Sequence, residues 1–136
     1  MPSATHADVL AQRRQLIVNR DIDGFADLFA PDAVIELPFS SIRLAGREAI
    51  REYSRQFLAA PVRLEDFEVT ELYQTQDPEV VIVEMRTKGT LTSTGRPFTA
   101  TSIQVLRIRE GQIVLFRDFA DSRVLAEVIG QPHPAS

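Results

Sequence analysis

The chain has 136 residues, of which 44% are hydrophobic, and it carries a formal net charge of −4 with an isoelectric point near 5.2. This length suits one domain over residues 1–136, with an ordered core from about residue 7 to residue 130. The acidic balance argues against a nucleic-acid surface, which needs concentrated lysine and arginine. The lack of cysteine excludes disulfides, thiol nucleophiles and thiolate metal sites.

The start of the chain has neither the basic residues nor the apolar run of a secretory signal. No stretch approaches the roughly 18 apolar residues of a membrane span, so we expect a cytoplasmic protein without membrane contact. His6 and His133 lie in the two tails and share no ligand spacing with acidic residues. The sequence therefore predicts neither a metal site nor a cofactor.

Apolar residues at helical spacing predict a first helix from about Ala7 to Arg20. A short second helix follows, for which Asp21 or Asp23 is the expected cap. Its buried side is expected to carry Phe25, Leu28 and Phe29, and Pro31 is expected to end it.

A short strand is predicted next, Val34 to Phe39, with Pro38 marking its end or a sheet edge. A loop of small and polar residues then leads to Gly46. This glycine opens a third helix, Arg47 to about Ala59, which Pro61 stops.

After Pro61 the hydrophobic pattern changes to period two, which indicates strands. Short turns join them, so an antiparallel arrangement is expected. Asp121 is expected to cap a final helix, Ser122 to Ile129. Helices first and strands later favour an α+β fold with the helices on one face of a curved sheet. The predicted strands are Leu64–Gln74, Glu79–Leu91, Pro97–Arg109 and Gln112–Phe119.

Asp118 is the most informative residue of the last predicted strand. Side chains alternate across a strand, so Asp118 shares a face with Val114 and Phe116. A carboxylate among apolar neighbours has either a structural or a chemical role.

Three stretches, Asn19–Ala33, Gly46–Ile50 and Gly111–Asp121, come in an order that resembles the SnoaL-like branch of the nuclear transport factor 2-like superfamily. The resemblance runs from about Val9 to about Val128. It implies a cone-shaped half-barrel of the cystatin-like roll type, in which three N-terminal helices lie on the concave face of a curved antiparallel sheet. The open end of such a half-barrel holds a pocket.

The second long strand has Glu84, Arg86 and Lys88 on one face, so the opposite face, with Met85 and Thr87, should be interior. For the next strand, periodicity leaves both faces open, and alignment with the family pattern turns Ala100, Ser102 and Gln104 inward. A mostly apolar cavity with a few polar groups is typical of a small-molecule site. The resemblance implies apolar walls from Phe25, Phe29, Ile35, Leu37, Tyr53, Phe57, Met85, Phe116 and Leu125, with polar points at Thr87, Ser102, Gln104 and Asp118.

The outer face of the sheet would then carry Ile103, Val105, Leu115 and Phe119. An apolar patch on the back of a sheet needs a cover. A second copy of the chain is the expected cover, because the family commonly forms dimers through this surface.

Two activities of related proteins are disfavoured by the residues present. Ketosteroid isomerases need an aspartate base and a tyrosine, where this chain has Leu37 and Arg13 or a neighbour. Limonene-epoxide-hydrolase-type enzymes share an aspartate at Asp118. Their other catalytic groups fall on Ile35, Leu37, Met85 and Thr87.

SnoaL-like polyketide cyclases need one carboxylate in an apolar pocket and no cofactor. The resemblance therefore implies an isomerase or cyclase that acts by proton transfer on a small hydrophobic, polyketide-like carbonyl compound. Asp118 would be its acid/base, and Ser102 and Gln104 would orient the oxygen. Burial should raise the pKa of Asp118, and Arg13 should oppose that rise.

A non-catalytic module of the same fold that binds a small hydrophobic ligand is the alternative. In that case Asp118 would have a structural role and bind a helix amide, Arg13, Arg14 or the amide of Gln104. Asp121 is expected to act as a helix cap rather than as an acid.

Overall fold

The computed structural model describes residues 5–59, 61–121 and 123, which form an α+β fold built on one open, curved sheet of six strands. The strand order is β2-β1-β6-β5-β4-β3, so the predicted fold class is confirmed. The elements in chain order are α1 (His6–Val18), α2 (Ile22–Asp27), β1 (Phe29–Leu37), a 3-10 turn (Pro38–Ser40), β2 (Ile42–Ala45), α3 (Arg47–Ala59), β3 (Val62–Gln74), β4 (Val80–Leu91), β5 (Arg96–Arg109) and β6 (Gln112–Ala120).

Side-chain caps start the first two helices. At α1 the hydroxyl of Thr5 accepts from the backbone N–H of Asp8, and the Asp8 carboxylate accepts from the N–H of Thr5. At α2 the carboxylate of Asp21 accepts from the N–H of Gly24 at 2.9 Å, which confirms one of the two predicted caps. These bonds satisfy amide groups that have no partner inside the helix.

The boundary between α2 and β1 differs from the prediction. The helix ends at Asp27, before Pro31, and Phe29 belongs to β1, where it pairs with Ile113 of β6. Pro31 lies where the β1–β6 register shifts, between Phe29 and Val34. A proline is tolerated there because it has no N–H to give to a ladder.

The sheet is mixed rather than wholly antiparallel as predicted. Strands β3 to β6 form the expected antiparallel meander, but β1 runs parallel to β6, with Ile35 beside Phe116. The short-turn argument applies only to consecutive strands, and it says nothing of a strand that returns from the other end of the chain. The four-residue strand β2, predicted as loop, pairs with β1 at the sheet edge.

The core lies between the three helices and the concave face of the sheet. Val9 of α1, Ile50 of α3 and Val83 of β4 are buried there, with Leu106 of β5 and Ile113 of β6. Among the described residues, no helix has the length and apolar character needed to cross a membrane. Of the predicted helix Ser122–Ile129, only Arg123 is among the described residues, and Leu125 lies outside them.

Candidate active site

A cavity of about 200 Å³ opens between the helices and the concave face of the sheet. Its walls are mostly apolar, and its polar groups come from β4, β5, β6 and α3. Ten of the residues predicted to form the pocket line it: Phe25, Ile35, Leu37, Tyr53, Phe57, Thr87, Ser102, Gln104, Phe116 and Asp118.

Three predicted pocket residues are not in the cavity wall. Phe29 is fully buried behind the wall, where its ring lies 5.2 Å from that of Phe25 and 6.5 Å from that of Phe116. Met85 is 2% exposed and faces Arg13. Leu125 lies outside the described residues.

The prediction missed several aromatic and apolar wall residues. Phe98 of β5 lies opposite Gly89 of β4, where a Cβ atom would come within 2.7 Å of the Phe98 ring. Glycine inside a strand pattern signals such a close approach, and that signal was readable in the sequence. Phe67 of β3 follows a register shift between Leu64 and Asp66, so simple alternation could not assign its face. The apolar wall also includes Ala100, which was predicted to face inward, and the residues Leu16, Ile17, Leu64, Phe67, Phe98 and Ala120.

Asp118 lies at the cavity beside polar residues of β5, because β6 and β5 are paired in regular antiparallel register here. Gln104 lies directly opposite Asp118, and Ser102 lies opposite Ala120. The predicted alternation holds from Phe116 to Asp118, but the register shifts between Arg107 and Ile108. The residue buried before Phe116 is therefore Ile113 instead of Val114.

The Asp118 carboxyl has an unusual environment for a charged group. Loss of contact with water raises its pKa above the ordinary value, while the positive charge of Arg13 and hydrogen bonding to Gln104 and Ser102 oppose the rise. Its Oδ1 atom is buried and has no hydrogen-bond partner, and the same holds for Oε1 of Gln104. Two buried acceptor atoms beside the polar end of the cavity therefore lack a hydrogen-bond partner.

Arg13 of α1 lies behind this polar end and is completely buried. Its guanidinium carbon lies 4.9 Å from the ring centre of Phe67 and 5.3 Å from that of Phe116, distances typical of cation–π contacts. Burial lowers the pKa of Arg13 to about 10, and the charge of Asp118 works in the opposite direction. Arg13 thus keeps its proton at neutral pH.

Two further titratable groups border the cavity. Tyr53 of α3 has a raised pKa because burial and the charge of Asp118 both disfavour the phenolate. Asp121 lies at the end of β6, and its Oδ1 atom accepts from the N–H of Arg123 at 2.9 Å, as a capping residue does. Within residues 5–59, 61–121 and 123, no group of acidic or histidine side chains is arranged to hold a metal ion.

Three helices packed against a curved open sheet are the fold of solved structures described as ketosteroid isomerase-like and as NTF2-like. Residues 11–116 match the model of the SnoaL-like domain. The match covers most of the chain, so the protein belongs to the SnoaL-like domain family, as its sequence predicted.

Comparisons with individual proteins agree with this assignment. An uncharacterized PhzA/B-like protein of Pseudomonas aeruginosa is 35% identical over 128 residues, which cover 90% of this chain and 89% of the relative. A solved structure from Bacillus subtilis, provisionally assigned as an isomerase, has a TM-score of 0.83 and 26% identity, with 95% of each chain covered. The epoxide hydrolase/cyclase-like enzyme SalBIII, described in pyran ring formation in the polyether salinomycin, has a TM-score of 0.72 and 25% identity, with 86% of this chain and 91% of SalBIII covered.

Proposed function

We propose that the protein is a cofactor-independent isomerase or cyclase that acts by proton transfer on a small hydrophobic carbonyl compound. The observation that carries this proposal is the Asp118 carboxyl, which lines a mostly apolar cavity, has a raised pKa and has an Oδ1 atom without a hydrogen-bond partner. A base with a pKa closer to neutral is better matched to proton transfer at physiological pH. Membership of the SnoaL-like family and similarity to SalBIII support the same class of reaction.

In the proposed reaction, Oδ1 of Asp118 takes a proton from a carbon next to the substrate carbonyl and returns it at another atom. Ser102 and Gln104 orient the substrate oxygen. Both lie on β5, which pairs with the strand β6 that carries Asp118. Tyr53 keeps its proton because its pKa is raised, so its hydroxyl can donate to the same oxygen. A cavity of about 200 Å³ suits a ligand with one or two rings, since benzene occupies a cavity of about 150 Å³.

The test uses 2-indanone, a small cyclic ketone with acidic hydrogens next to its carbonyl. Its hydrogen–deuterium exchange in D₂O is followed by NMR. The wild-type protein should accelerate the exchange, and Asp118→Asn should reduce the catalysed rate by about two to four orders of magnitude, the usual cost of losing a general base. Asp27→Asn, the same chemical change on the exposed surface of α2, is the matched control and should have no effect. Equal exchange in wild type and Asp118→Asn would show that Asp118 is not the base.

A binding module without turnover is the second candidate, and the two free acceptor atoms favour it. Oδ1 of Asp118 and Oε1 of Gln104 can each accept a hydrogen bond from a ligand without any bond being broken. This candidate predicts that 2-indanone, or a hydroxylated analogue, perturbs the NMR signals of cavity residues while its exchange rate stays at the buffer value. Detectable exchange that depends on Asp118 would reject it.

A further inference from the structure

The guanidinium of Arg13 is a buried cation whose hydrogen-bonding capacity is almost unused. Its Nη2 atom donates to the sulfur of Met85 at 3.5 Å, and its Nε and Nη1 atoms have no partner. Burial of a charge without an opposite charge in contact is strongly unfavourable. Such a group needs a balancing negative charge close by.

Asp118 supplies that negative charge in the protein alone. The groups that face it are Arg13 from α1, Tyr53 from α3, and Ser102 and Gln104 from β5, and of these only Arg13 is charged at neutral pH. Arg13 and Asp118 form no direct hydrogen bond: Nη2 of Arg13 donates to Met85, its Nε and Nη1 atoms have no partner, and neither does Oδ1 of Asp118. The charges of Arg13 and Asp118 therefore offset each other without direct contact between the two groups.

The rings of Phe67 and Phe116 lie between Arg13 and the cavity. Both rings contact the guanidinium on one side and form part of the cavity wall on the other. A ligand in contact with the cavity side of either ring therefore lies about 8 to 9 Å from this fixed positive charge, since the guanidinium carbon is 4.9 and 5.3 Å from the two ring centres and atoms in contact are roughly 3.5 to 4 Å apart. At an effective dielectric constant of about 20, a unit charge at that distance still changes the affinity for an ionic ligand by about tenfold or more.

We propose that Arg13 is a positioning residue that restricts the cavity to neutral acids, that is, enolisable ketones and phenols that become anions by giving a proton to Asp118. This inference rests on the proposed function, because it names the class of substrate for the same site. The ligand C–H or O–H bond breaks, an O–H bond forms at Oδ1 of Asp118, and the electron pair stays on the ligand as an enolate or phenolate.

The balance of charge explains the restriction. Before the transfer, Arg13 is balanced by the Asp118 carboxylate, and after it Arg13 is balanced by the ligand anion. The cavity carries no net charge in either state, so the negative charge moves without leaving the cation uncompensated. A ligand that is already anionic would place two negative charges against one cation, and a cationic ligand would add a second positive charge.

The experiment measures binding, so it does not depend on turnover. Asp118→Asn imitates the neutral, protonated carboxyl and leaves Arg13 unbalanced. The probe is para-nitrophenol, whose phenolate is coloured and which ionises near neutral pH. Absorbance titrations at several pH values give separate affinities for the phenol and the phenolate.

Asp118→Asn should bind the phenolate at least about tenfold more tightly than the wild type does, as expected for one nearby unbalanced charge. Adding Arg13→Met should remove this gain, whereas adding Arg13→Lys should keep part of it. Adding Arg14→Met is the matched control on the same helix and should change nothing, because Arg14 is exposed and pairs with Asp66 on the surface at 2.7 Å.

Equal phenolate affinity in Asp118→Asn with and without Arg13→Met would overturn the inference. If the Arg13→Met variant does not fold, as judged by its melting curve, Arg13→Lys decides, because loss of the phenolate preference with the charge retained would also overturn it. A protein that shows the Arg13-dependent preference but no ketone exchange would refute the proposed function and leave the charge inference standing.

Discussion

Arginine and carboxylate groups are in direct contact on one side of the sheet and are separated on the other. On the outer face and at the strand ends, arginine and carboxylate groups meet directly: Arg117 with Glu36 at 3.0 Å, and Arg107 with both Glu79 and Asp77 at 3.0 Å. On the inner face, Arg13 and Asp118 lie near each other without contact. Exposed ion pairs in direct contact are typical of structural roles. Buried charged groups that do not contact each other are expected at a functional site.

The pKa values follow this division. Hydrogen bonds from Arg109 and Arg107 lower the pKa of Glu79 to about 2, because they favour its charged form. Burial raises the pKa of Asp118, because loss of water disfavours its charged form more strongly than Arg13 and its hydrogen bonds favour it. The same residue chemistry thus gives opposite shifts, and the environment of each face decides the sign.

The largest expected effect concerns the apolar residues of the outer face. Ile103 is 50% exposed, Phe119 is half-buried, and Phe39, 66% exposed, packs edge-to-face against Phe119 with ring centres 5.7 Å apart. The homodimer through this face stays a prediction. Light scattering at micromolar concentration should report twice the chain mass for the wild type. Ile103→Glu should give the mass of one chain, because dimerisation would then bury an unpaired carboxylate in an apolar interface.

Gln56→Glu, on the exposed side of α3, adds the same charge away from the sheet and should leave the mass doubled. A wild-type protein that scatters as one chain would rule out this interface. In that case the outer face would not be an interface, and its charged residues would only form surface ion pairs.

A smaller effect is expected from Asp118→Asn on stability. The folded-state pKa of Asp118 lies above the unfolded value of about 4, so its stabilising contribution is fully present below that pH and is lost as the pH rises through the folded-state pKa. Asparagine cannot ionise, so the variant does not lose stability in this way as the pH rises. The free energy of unfolding of the variant, relative to wild type, should therefore increase with pH by about 1.4 kcal/mol for each unit of pKa shift.

Urea unfolding at a series of pH values measures this difference. A structural role for Asp118 predicts the reverse, namely a variant that becomes relatively less stable as the pH rises, because a useful carboxylate would have been removed. NMR titration of the Asp118 carboxyl provides an independent check, and a pKa below about 4 would favour that structural role.

Much of the fold could be predicted from local patterns. The change of period after Pro61 located all four long strands, and charged residues at alternate positions of β4 identified Val83 and Met85 as interior. The parallel pairing of β1 with β6 could not be predicted in this way, because it joins segments separated by most of the chain. Periodicity indicates on which face of a strand a residue lies, but it does not indicate which distant strand pairs with that strand.

The candidate site was predicted less completely, and for a related reason. Asp118 and Gln104 could be assigned by strand parity and alignment, and the structure brings both to the cavity, although their roles stay predictions. For Arg13, the sequence analysis predicted that its charge would oppose the pKa rise of Asp118, which is confirmed, but it did not predict that Arg13 is completely buried. Its complete burial depends on the packing of α1 against Phe67, Met85 and Phe116, three residues far away in the chain.

The smallest expected effect is at the strand-end cluster. Glu79→Gln removes a carboxylate that pairs with Arg107 and Arg109, and all three groups are in contact with solvent. Because the pKa of Glu79 is lowered to about 2, its contribution is present above the unfolded value of about 4.3 and is lost as the pH falls towards 2. The stability difference between wild type and Glu79→Gln should therefore shrink with falling pH, opposite in sign to the trend at Asp118. It should also shrink in high salt, which screens exposed pairs. Glu71→Gln, an exposed position on β3, is the matched control, and a difference at Glu79 that persists at low pH and in high salt would show that packing, and not charge, holds these strand ends together.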